Sequence, residues 1–154
     1  MSKLDASGKV SFAKSPWQAE IELQIQFYDL DPMEIVWHGR YIEYFEAARC
    51  ALFDQIDYNY LAMKASGYMW PVIDLQIRYA NPAVFRQRIK VRVAIIEWEN
   101  RLKMEYQITD AISGKRLTRG ITTQVAVEIS RREMCFVSPP VLWQKLGLPY
   151  PESI

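Results

Sequence analysis

Side chains able to do chemistry crowd into one window of the 154-residue sequence, Phe27 to Tyr41, which holds Asp29, Asp31, Glu34 and the chain's one histidine, His38. A carboxylate can attack a carbonyl carbon or activate a water, and an imidazole can carry a proton between the two. Glu46 and Arg49 follow on the next element, and Trp37 and Tyr41 bracket His38 as candidate wall or support residues. On residue type alone, aspartates beside a proline also cap turns, so Asp29 and Asp31 each carry a structural reading beside the chemical one. Glu46 and Arg49, three apart, read first as an intrahelical pair, with water orientation by Glu46 as the lesser reading. Arg88, Lys90, Arg92, Arg101 and Lys103 read as a solvated strand face that could also meet phosphates.

The elements that position this window follow from hydrophobic period. Ala19, Ile21, Leu23, Ile25 and Phe27 alternate with polar residues, which predicts a half-buried strand that ends by delivering Tyr28 to Asp31. Pro32 lacks an N–H and holds Asp31 extended, so a loop runs from Asp31 to Trp37. A helix is predicted over about Gly39 to Asp57, with Ile42, Phe45, Arg49, Leu52, Phe53 and Ile56 at three- and four-residue spacing and Tyr41, Tyr44 and Ala48 widening the stripe. Tyr58 to Met69 reads as an irregular connector with a turn at Ser66-Gly67. Alternating runs at Ile73–Tyr79, Ile89–Ile95, Leu102–Ile108 and Ile121–Ile129, separated by turn residues, predict hairpin-linked antiparallel strands, each with one wet face. Val141 to Leu146 suggests a short final helix. The implied fold class is α+β, an antiparallel sheet wrapped around one long helix, and its open sheet edges favour pairing with a second copy.

Size and composition bound the rest. A chain of this length, half hydrophobic, forms one domain, here residues 17–154, preceded by a polar arm at 1–16 that shows no period and is expected to be flexible. Nineteen basic against eighteen acidic residues leave a net charge of +1, which gives no polycationic footprint for nucleic acid. Cys50 and Cys135 match no metal-ligand spacing and no disulfide framework. With no apolar leader and no run long enough for a membrane span, a cytoplasmic, soluble protein is expected.

The run Asp-Leu-Asp-Pro-Met-Glu-Ile-Val-Trp-His-Gly-Arg-Tyr, followed by Tyr44-Phe45-Glu46-Ala47-Ala48-Arg49, resembles the signature of the hot-dog-fold acyl-CoA thioesterases of the 4-hydroxybenzoyl-CoA thioesterase family. The similarity covers roughly Ile21 to Val137. It implies that Asp31, the second aspartate of the D-x-D run, is the catalytic carboxylate. It also implies that the backbone N–H of His38 meets the thioester oxygen, and that the enzyme is a dimer or tetramer with its sites between subunits. No metal is implied, and coenzyme A or the pantetheine of a carrier protein enters only as part of the substrate. Many relatives carry small residues, often Gly-Gly, where this chain has Met33-Glu34, and Asn or Ser where it has Arg40. Thioester hydrolysis is the leading expectation. Hydration or dehydration of an acyl thioester, which would need the His38 side chain, and non-catalytic acyl-thioester binding are the alternatives.

Overall fold

The computed structural model describes residues 8–151, so residues 1–7 of the arm expected at 1–16 lie outside them. Five strands form the main sheet: β1 (Gln18–Gln24), β3 (Val72–Tyr79), β4 (Arg88–Glu97), β5 (Leu102–Asp110) and β6 (Arg116–Gln124). They are antiparallel in the order β1-β4-β5-β6-β3, so β1 and β3 form the two edges. Helix α1 (Arg40–Gln55) lies across the concave face and buries Tyr41, Tyr44, Phe45, Ala48, Leu52 and Phe53. Opposite them stand Ile89, Val91, Val93, Ile95, Met104, Tyr106 and Ile108, all without exposure, as period-2 alternation demands. This is the expected α+β arrangement, a sheet wrapped on one central helix.

One notch seats that helix. A Cβ at Gly120 on β6 would lie 2.3 Å from the Phe45 ring, so only glycine lets Phe45 reach the sheet. Phe45 then stacks on Tyr106, centroids 4.5 Å apart. Burying such a ring contributes about 1.5–3 kcal/mol.

The structure corrects six expectations. Residues 8–16 are not a loose arm. Val10 N–H donates to Ile96 O at 2.9 Å, Trp98 N–H to Gly8 O at 3.2 Å, and the buried Ser15 hydroxyl to Ile95 O at 2.6 Å. A single bridged pair, Lys9 with Glu97, is too short to print a period in the sequence. The supposed connector holds α2 (Tyr60–Ser66), capped by Asn59, whose Oδ1 accepts Ala62 N–H, and closed by Gly67 at φ 91°. The last long strand ends at Gln124, and the chain turns into a small second sheet of β2 (Tyr68–Met69), β7 (Val127–Glu128) and β8 (Glu133–Met134). Strand β3 shows no fully buried face: among the described residues only Ile77 and Tyr79 on its helix side pack against the rest of the chain, and the other residues of the strand are exposed. Ile42, placed in the apolar stripe of α1, is exposed. The final helix, α3 (Pro140–Lys145), begins one residue before the expected one. Among the described residues no helix is long and apolar enough to cross a membrane.

Candidate active site

Two turns carry the two aspartates. After β1 the chain makes a 3-10 turn, Phe27–Asp29, in which Asp29 Oδ2 accepts the N–H of Gln26 at 2.7 Å. The Asp29 carbonyl accepts Trp37 N–H at 2.9 Å, and its Oδ1 stands 3.6 Å from Arg40 Nε. Buried beside it, the Tyr44 hydroxyl finds no hydrogen bond of good geometry among the described residues. Burial first, and then the charge of Asp29, push the Tyr44 pKa up. Asp29 is thus spent on structure, as its turn-cap reading held.

Asp31 closes the next turn. Its Oδ1 accepts Met33 N–H at 2.8 Å, its N–H donates to Ile35 O at 2.9 Å, and its carbonyl accepts Glu34 N–H at 3.0 Å. The turn forces Glu34 to φ 64°, a left-handed conformation that suits the glycine many relatives carry at this place. Bridges from Leu30 to Val36 and from Ile35 to Val84 clamp both ends of the loop. Asp31 is half-buried, and its Oδ2 accepts no hydrogen bond among the described residues. One oxygen holds the loop while the other has no hydrogen bond among the described residues.

His38 stands two residues before α1. Its carbonyl accepts the Tyr79 hydroxyl at 2.8 Å, while its N–H finds no acceptor among the described residues. The imidazole is exposed and rests against the Trp37 ring, centroids 5.2 Å apart. Trp37 in turn folds over Gly39, where a Cβ would lie 2.4 Å from the indole. An open N–H at the positive end of a 16-residue helix is a preorganised place for negative charge.

Asp31 and His38 line one groove of about 380 Å³ with Met33, Ile35, Tyr41, Tyr79, Asn81 and Pro82. Tyr41 and Tyr79 meet edge to face at 5.1 Å, and burial raises the pKa of both, so at neutral pH they are neutral phenols rather than bases. The groove therefore joins three of the expected residues, Asp31, His38 and Tyr41. Trp37 supports the loop from outside it. Glu46 lies on the exposed flank of α1 in a separate groove with Arg49 and Cys50. Its expected pairing with Arg49 is loose, 4.0 Å, because Arg49 turns inward to donate to the Tyr106 hydroxyl at 3.1 Å. Tyr79, Asn81 and Pro82 had no place in the sequence-based site. Their signal was a tyrosine ending an alternating run just before Asn-Pro, which reads only as a strand end.

The model of the family described as "Thioesterase-like superfamily" matches residues 25–146, a span that holds both turns, α1 and four of the five strands of the main sheet, β3 to β6. The chain belongs to this superfamily. Membership at the finer level of the 4-hydroxybenzoyl-CoA group is not part of that match. The superfamily chain is 27% identical over 128 residues to a Synechocystis protein named "Putative esterase sll0410", covering 82% of this chain and 77% of that one. A shorter match, 29% over 77 residues, joins it to "Putative acyl-CoA thioesterase YneP" of Bacillus subtilis, covering half of this chain and 56% of that protein. Among solved structures, Slr0204 of Synechocystis, a 1,4-dihydroxy-2-naphthoyl-CoA thioesterase, superposes with a TM-score of 0.74 at 20% identity, covering 87% of this chain and 99% of that one. That likeness establishes the hot-dog fold.

Proposed function

We propose that this chain hydrolyses an acyl thioester of coenzyme A to free acid and thiol, with Asp31 as the catalytic carboxylate and the His38 N–H as the oxyanion donor. The observation that carries the reading is that one groove is lined by both Asp31, whose Oδ2 accepts no hydrogen bond, and His38, whose N–H finds no acceptor, among the described residues. A thioester carbonyl held there would have a nucleophile or base on one side and a fixed donor for its developing negative charge on the other. Two routes are open to Asp31: attack on the carbonyl carbon, giving a mixed anhydride that water then cleaves, or abstraction of a proton from an attacking water. Membership of the superfamily and the likeness to a protein named for acyl-CoA thioesterase activity support the substrate class. The thioester belongs to the substrate, and the chemistry draws on no metal or separate cofactor. The working enzyme is at least a homodimer in a reducing, cytoplasmic setting, consistent with two free cysteines and an exposed edge strand.

A panel of short, long and aromatic acyl-CoA thioesters, followed by thiol release, tests this. The wild type should cleave at least one. Asp31→Asn should remain folded and lose about 10² or more in kcat, because asparagine still accepts Met33 N–H but has neither charge nor basicity. His38→Ala should be mild, since the backbone N–H survives. Equal damage from both, with enoyl thioester hydration faster than hydrolysis, would install the hydratase reading instead.

A further inference from the structure

A second cleft, of about 410 Å³, lies away from the Asp31 groove, between α2 and the small sheet. Met63 and Trp70, both buried, line it with the more open Tyr60, Tyr68, Val127 and Ile129. Lys64 is its one charged lining residue, and it belongs to no ion pair among the described residues. The Trp70 indole N–H is spent on the Tyr58 hydroxyl at 3.1 Å, so the two tyrosine hydroxyls and the Lys64 ammonium are the side-chain polar groups left to a ligand. Such a cleft has the volume and lining of a small-ligand site. Its walls disfavour a polar ligand body, because a polar group buried against them finds no partner. Lys64 can lay its stem along an apolar wall and keep its ammonium in water, where it disfavours a cationic head and draws an anionic one. The matching ligand has an apolar body and one anionic end.

We infer that this cleft binds a free monocarboxylic acid, with its hydrocarbon body against Met63 and Trp70 and its carboxylate beside Lys64, as a site separate from the Asp31 groove. Cleft and groove share no lining residue. Trp70 and Pro71 of the cleft lead into β3 at Val72, whereas Tyr79 to Pro82 of the groove stand at its other end. A strand from Val72 to Tyr79 spans about 23 Å. An acid held in the cleft therefore leaves Asp31 and His38 of the same chain free.

The head group follows from the charge count. One exposed lysine matches the single charge of a carboxylate. A phosphate head carries about twice that charge and suits clustered arginines, of which the lining has none. Met63 and Met69 give the cleft thioether side chains that repack around bodies of different shape, so it takes a class of acids rather than one. Thioester hydrolysis at Asp31 would release acids of this class, and that source rests on the function proposed above, whereas the binding does not. A bound acid would clasp α2 to the small sheet, so the folded chain should gain stability with acid concentration.

Calorimetric titration of the full chain with octanoate, 1-octanol and octylammonium tests the site without any assay of activity. Octanoate should bind tightest and octylammonium weakest. Lys64→Met keeps the stem and should bring octanoate down to the affinity of octanol, a loss of about threefold to fivefold for an exposed ion pair. Lys64→Glu should invert the order of octanoate and octylammonium. Val127→Phe should fill the cleft and abolish binding of octanoate and octanol alike, and Ile129→Trp reads the same effect should the first variant fail to fold. Octanoate should also change the tryptophan fluorescence, and Trp70→Phe should remove that change. Absence of octanoate binding, an order of ligands indifferent to the charge at 64, or binding untouched by either filling variant overturns the site. A raised KM for acyl-CoA in Lys64→Met, with no acid added, overturns its separateness from the Asp31 groove. Loss of a dimer in Val127→Phe by sedimentation, with no octanoate bound by the wild type, gives the cleft to a protein surface instead. If the wild type cleaves no thioester, the hydrolase reading fails while the titrations stand on their own.

Discussion

The turns at Gln26–Asp29 and Asp31–Ile35 are neighbours with the same kind of residue at their hinge, yet they use it in opposite ways. Asp29 is buried, with both oxygens engaged, one by Gln26 N–H and the other by the Arg40 guanidinium. Asp31 is half-buried at the groove wall, with one oxygen engaged and the other without a hydrogen bond among the described residues. Two carboxylates with a single residue between them thus differ in how far structure uses them, and solvent access tracks the difference. A buried carboxylate must be fully bonded to remain charged, whereas one at a groove wall can leave an oxygen unpaired.

The sharpest break of that contrast is the paired substitution of both residues. Asp31→Asn should cost about 10² or more in kcat with a melting temperature close to wild type. Asp29→Asn should cost about 1–3 kcal/mol of stability by weakening buried, charge-assisted bonds, lowering Tm by several degrees, with a smaller loss of turnover. Thermal melts beside thiol-release kinetics separate the two. Parallel losses in both variants would dissolve the distinction.

Next in size is Gly39→Ala. The added methyl would collide with the Trp37 indole and must displace it, tilting the approach to α1 without touching Asp31. We expect kcat to fall roughly tenfold through a misplaced His38 N–H, a fraction of what loss of an oxyanion donor costs. Trp37 fluorescence should report the displacement. Smaller again is Glu34→Gly. Relief of the left-handed backbone should offset the added chain entropy, leaving stability within about 1 kcal/mol of wild type, as chemical denaturation would measure.

The smallest effect comes from a carboxylate far from both turns. Asp110, bonded foremost by the Ser113 N–H and then by the Gln87 side chain, has its pKa lowered to about 2. Its folded value lies below the ordinary carboxylate value of about 3.9. Its contribution is therefore present above pH 4 and disappears as pH falls from about 4 to 2. Asp110→Asn should flatten that part of the curve of Tm against pH and leave the pH dependence of turnover unchanged.

Much of this contrast was legible in the sequence, for a physical reason. Asp31, His38 and the start of α1 lie within ten residues, so their mutual placement is set by one turn and one helix start. Tyr79 reaches the same groove from 41 positions away, through the sheet, and no local pattern carries that contact. Glu46 lies in a separate groove of the same chain, because a helical stripe does not say which flank a sheet leaves open. Helix α2 escaped notice because seven residues give little period, although its cap, Asn59, and its stop, Gly67, were both on view. Strand β3 alternated as expected, but alternation marks which side chains share a face and is silent on whether one chain supplies the cover.

The notch at Gly120 also bears on the order in which the molecule assembles. Phe45 and Gly120 lie far apart along the chain, and the notch exists only once β6 is flanked by β5 and β3. A folding route in which the sheet forms before α1 docks would place the ring's entry into its slot after the rate-limiting barrier. Gly120→Ala should accordingly act on the lifetime of the native state, speeding unfolding while leaving the refolding rate nearly as it was.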